Sequence, residues 1–111
     1  MTTWNPTSAQ LESHLTTCLT AAGYLEDYRA EGDFGRQIIN RKAGSPIDFK
    51  ITTTINLAVG SEVGVDDIIV VTIRELDAHG PTGIEHTVNR LTARNFPALL
   101  NIAAALEEHL A

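Results

Sequence analysis

Cysteine is almost missing from this chain. Cys18 stands alone, so no intrachain disulfide can form, and a domain that manages without one is expected in a reducing compartment. Long apolar runs are missing as well. Ile68-Ile69-Val70-Val71 is far short of the ~20 residues that a membrane-spanning helix needs. The first residues, Met1-Thr2-Thr3-Trp4-Asn5-Pro6, have neither the basic nor the apolar region of a secretory signal. A cytoplasmic location is therefore the expectation, with no membrane partner.

Positive charge is scarce. Eight basic residues face 14 acidic ones, for a formal net charge of −6, and such a surface repels nucleic acid on average. Distribution does not reverse the total. Arg29, Arg36, Arg41, Lys42 and Lys50 are interleaved with Glu26, Asp27, Glu31, Asp33 and Asp48. The six aromatic residues, Trp4, Tyr24, Tyr28, Phe34, Phe49 and Phe96, offer no stacking platform in a basic groove. A phosphate loop is absent too. Val59-Gly60-Ser61-Glu62-Val63-Gly64 has no Lys-Ser/Thr after its glycines and no helix to follow, so it reads as a hairpin loop. No cofactor is expected.

What remains is an ordinary globular balance, 43% hydrophobic and 20% charged over 111 residues, enough to bury one core. No linker or repeat interrupts residues 1–111, so a single domain is expected. Thr7 and Gln10 make a capping box, with Pro6 and Leu11 at the staple positions. Leu11, Leu15, Cys18, Leu19 and Ala22 then recur at helical spacing, leaving Glu12, Thr16 and Thr20 outward. Gly23 ends this helix, over residues 8–22.

Strand-like segments follow, separated by glycine-containing turns. They run from Tyr24 to Ala30, Phe34 to Lys42, Ile47 to Ala58 and Val65 to Asp77, and Ile84 to Leu91 can return as a fifth. The third alternates cleanly, with Phe49, Ile51, Thr53, Ile55 and Leu57 on one face and Lys50, Thr52, Thr54 and Asn56 on the other. The fourth is apolar on both faces, Ile69, Val71 and Ile73 against Ile68, Val70 and Leu76, which predicts a central strand covered twice. Asn95 caps a last helix with Pro97 in its first turn. Its apolar side is Phe96, Leu99, Ile102, Ala103, Leu106 and Leu110. Glu107 and Glu108 oppose its dipole. Short connections force antiparallel neighbours. The predicted fold is α+β, a two-layer sandwich with an N-terminal helix, an antiparallel meander of four to five strands and a C-terminal helix.

Titratable groups are densest around the fourth hairpin: Arg74, Glu75, Asp77, His79, Glu85 and His86. Two histidines with carboxylates suit a metal site or an acid–base pair, but no His-x-x-x-His spacing accompanies them, and loose pairing at a solvated hairpin end explains them as well. His14 reads as a boundary residue of the first helix and His109 as a cation at the end of the last. Cys18, in an apolar stripe with no Lys or Arg within ten residues of it in sequence, reads as a small hydrophobe. Trp4, outside every predicted element, either folds back onto the core or anchors a partner.

Three functions follow, in order. The first is a non-enzymatic protein-interaction module, an accessory subunit, inhibitor or chaperone-like protein, using Ile68, Val70, Thr72, Leu76 and Trp4 as its interface. Its partner is another protein or a second copy, as a homodimer. The second is a small-ligand binder with a pocket between sheet and helices, lined by Thr53, Tyr24, Tyr28 or Cys18. The third is a small enzyme built on the His79/His86 hairpin.

Overall fold

The computed structural model describes residues 4–55 and 67–111. At the start of the first helix, the Gln10 N–H donates to Thr7 Oγ1 at 3.2 Å and the Thr7 N–H to Gln10 Oε1 at 2.9 Å, closing the capping box. This helix, α1 (Ser8–Ala21), ends in a Schellman turn. Gly23 takes φ +93°, its N–H reaches the Thr20 carbonyl, and the Tyr24 N–H reaches that of Leu19.

Among the described residues five strands follow: β1 (Leu25–Gly32), β2 (Gly35–Arg41), β3 (Ile47–Thr54), β4 (Ile68–Asp77) and β5 (Gly80–Val88). They pair in sequence order, every pair antiparallel. The closing helix is α2 (Phe96–Leu110). Both helices lie on one sheet face. Leu11, Leu15 and Leu19 of α1 and Phe96, Leu99 and Ala103 of α2 bury Ile38, Phe49, Ile51, Ile69, Val71 and Ile73. The molecule is 21 Å thick, two layers of about 10 Å each, and among the described residues no helix lies over its other sheet face.

Several boundaries differ from expectation, each for a physical reason. The turn between β1 and β2 is the pair Asp33-Phe34, with Gly32 opposite Gly35, so Phe34 leaves the strand and stands 73% exposed. β5 begins at Gly80 rather than Ile84, after a two-residue turn of Ala78 and His79. Pro81 is accommodated because β5 is an edge strand, where a missing N–H can be tolerated. β4 is an interior strand, paired with β3 and β5, but it is not covered twice: among the described residues only its Ile69/Val71/Ile73 side is covered by helices. The expected third-strand residues Asn56, Leu57 and Ala58, the loop Val59–Gly64 and the fourth-strand start at Val65 lie outside the described residues.

Helix details change too. Asn95 holds the N-cap position, but its side chain turns away from the helix. Its Oδ1 accepts from the Thr92 N–H at 2.7 Å and its Nδ2 donates to the Arg90 carbonyl at 2.6 Å. Ile102 is exposed rather than packed. Glu12, expected outward, is only 8% exposed. It precedes Leu15 by three and Leu19 by seven positions, so it shares their helix face and points at the sheet.

Candidate interaction surface

Alternation along the strands sorts the side chains of the helix-free face into rows. Across β1 to β5 the first row is Leu25, Arg41, Asp48, Arg74 and Glu85. Asp48 is fully buried here. Arg74 donates through Nε and Nη2 to its two oxygens at 2.8 and 2.6 Å, and Arg41 Nε donates at 3.0 Å. The bond to Asp48, against burial, raises the Arg74 pKa. Two guanidiniums thus satisfy one carboxylate, and this end of the face holds its charges internally.

The remaining rows are nearly neutral. Tyr28, Ile39, Lys50, Thr72 and Thr87 form the second, Ala30, Gln37, Thr52 and Val70 the third, and Gly32, Gly35, Thr54 and Ile68 the fourth. Lys50, at the centre, makes no ion pair among the described residues. Of the sequence-predicted interface, Ile68, Val70, Thr72 and Leu76 do share this face. Trp4 does not join them. It packs edge-on against His14 of α1 and Phe96 of α2, with ring centroids 5.3 and 6.4 Å apart, and stays 49% exposed. It is therefore folded back and accessible at once.

The hairpin cluster does not converge. Arg74 and Glu85 fall on the helix-free face, while His86, opposite Ile73, falls on the other. There its Nε2 lies 2.7 Å from Glu75 Oε2. His79 sits in the turn, its backbone N–H donating to Asp77 Oδ1 at 2.8 Å. The two-residue period of a strand sends successive side chains to opposite faces, so adjacency in sequence divides this cluster. No metal-ligand cluster occurs among the described residues.

Cys18 and Tyr24 do line a common cavity between α1, α2 and the sheet, of about 140 Å³, well below the ~300 Å³ and more of typical ligand sites. Thr53 and Tyr28 are not part of it. The Thr53 hydroxyl donates to Glu12 Oε2 at 3.1 Å, and Tyr28 lies on the far face. Tyr24 has a structural task at the rim. Its hydroxyl donates to Glu107 Oε1 at 2.7 Å and meets Ser45 Oγ at 2.6 Å. Burial chiefly raises its pKa, the Ser45 bond opposes this and Glu107 adds to the rise, which reaches about 12. Lys42 Nζ lies 3.7 Å from the same Glu107 oxygen. These partners account for an acidic residue in the last turns of α2, where the dipole alone disfavours it. No protein-family model matches the chain, and no curated protein or solved structure matches it either.

Proposed function

We propose that the chain is a non-enzymatic protein-interaction module that docks through the helix-free face of its sheet. The observation that carries this reading is the neutral portion of that face, Tyr28, Ala30, Gln37, Thr52, Val70 and Ile68, uncovered in a molecule two layers thick. The whole helix-free face, its charged row included, with five strands spaced about 4.8 Å apart and eight residues long at about 3.3 Å each, presents about 600 Å². Side-chain relief brings this towards the ~800 Å² per partner of a standard interface. Both alternatives are less well supported, the cavity being small and the histidines separated.

A second copy of the chain is the first partner to test. A two-fold axis through the middle of the face would set Lys50 against its own copy, at a like-charge cost. An axis over Val70 and Thr72 of β4 keeps the two lysines apart. Sedimentation of the wild type and of Thr52→Arg and Val70→Arg tests the proposal. The wild type is expected to associate, as a dimer or with a protein that co-purifies from the native host. Both variants should remain folded and lose that association. A wild type that stays a 12 kDa monomer and retains no partner, or variants that associate equally well, would refute the reading.

A further inference from the structure

We propose a second binding surface, on the helix layer: a cleft between residues 4–6 and 90–94 that takes an acidic peptide segment. Two adjoining hollows, about 370 and 530 Å³, share Asn5, Thr92 and Ala93. Arg90 lines the first, while Trp4 and Arg94 line the second.

Charge selects the occupant. Five of the eight basic residues, Arg29, Arg36, Arg41, Lys42 and Arg74, are tied to carboxylates. Arg90 and Arg94 are exposed and make no ion pair among the described residues, so an acidic chain concentrates two uncommitted cations at one cleft. Asp67, which also lines the first hollow, is a buried residue engaged within the structure. Neither helix carries an acidic residue in its first turn, so the dipole of α1, which starts at Ser8 on this cleft, adds positive potential. Trp4 supplies the large, half-exposed apolar face that anchors peptide side chains at interfaces. A nucleic acid is the poorer occupant, because two cations on a chain of net charge −6 do not make a backbone-tracking groove.

The surface is independent of the sheet face and its test is separate. Fluorescence anisotropy is measured with a labelled peptide of glutamates around a central Leu-Phe pair, with its lysine-for-glutamate counterpart, and with single-stranded oligothymidylate. The glutamate peptide is expected to bind saturably, more weakly as salt rises. Arg90→Glu/Arg94→Glu and Trp4→Ala should each weaken it about tenfold, with unchanged circular dichroism. Lys50→Glu, a single charge reversal on the sheet face, should leave it intact. Absence of saturation, equal binding by the arginine variant, equal loss in Lys50→Glu, or preference for either other probe would overturn the proposal.

Discussion

Glu12 and Arg36, one on α1 and one on β2, form a bidentate pair with both Nη2–Oε distances at 2.7 Å. The Arg36 Nε bond at 3.0 Å and the Thr53 hydroxyl complete the set around one nearly buried carboxylate. The pair ties the first helix to the middle of the sheet.

Removing half of that pair strands the other charge. Glu12→Ala is expected to destabilise the fold by about 3 kcal/mol, because a largely buried guanidinium loses its counter-ion. Replacing both by leucine should recover much of the loss, since apolar groups of similar size need no partner there. Urea denaturation of Glu12→Leu, Arg36→Leu and the double variant checks this, and strictly additive losses would contradict it.

The Asp48 network predicts unequal costs for its members. Asp48→Ala should cost about 3 kcal/mol, leaving Arg74, whose side chain is 15% exposed, without an anion. Arg41→Gln should cost less than about 1 kcal/mol, because that side chain is 44% exposed and solvent screens it. Equal changes in urea midpoint would show that burial does not set the hierarchy.

Alkaline pH probes Tyr24. In the folded chain its pKa is raised from 10.0 to about 12, so the unfolded chain loses that proton first. The stabilisation is complete below about pH 10 and is lost as pH climbs to about 12. Tyr24→Phe should be less stable by about 1 kcal/mol at neutral pH, having lost the bonds to Glu107 and Ser45. The gap between wild type and variant should then close across that alkaline window, measured by urea titration at successive pH values.

Gly35 has no tolerated substitute. Its φ is +151°, and a Cβ there would collide with the Thr53 carbonyl oxygen on the neighbouring strand. Gly35→Ala should cost about 2–3 kcal/mol, whereas Gly32→Ala, with open space around its Cβ and an ordinary φ, should be nearly neutral. Paired melting curves separate the two.

Much of this fold is legible in the sequence. The Thr7–Gln10 box, the Gly23 stop and the two-residue alternation of residues 47–54 act through neighbours in sequence, and each is realised. Glu12 lies at the edge of the apolar stripe Leu11, Leu15, Cys18, Leu19 and Ala22, where periodicity alone leaves its direction open. Its spacing from Leu15 and Leu19 was the available signal. The hairpin histidines illustrate the opposite limit, since composition gathers what strand alternation separates.

By itself, then, the sequence determined the kinds of element, their order and the antiparallel meander, because periodicity and short loops are local properties. Tertiary structure alone decided which charges meet and which face stays bare. The pairings of Glu12 with Arg36, Asp48 with Arg74 and Tyr24 with Glu107 span 24, 26 and 83 residues. Contacts of that reach depend on strand register and on where both helices settle, which no local pattern specifies.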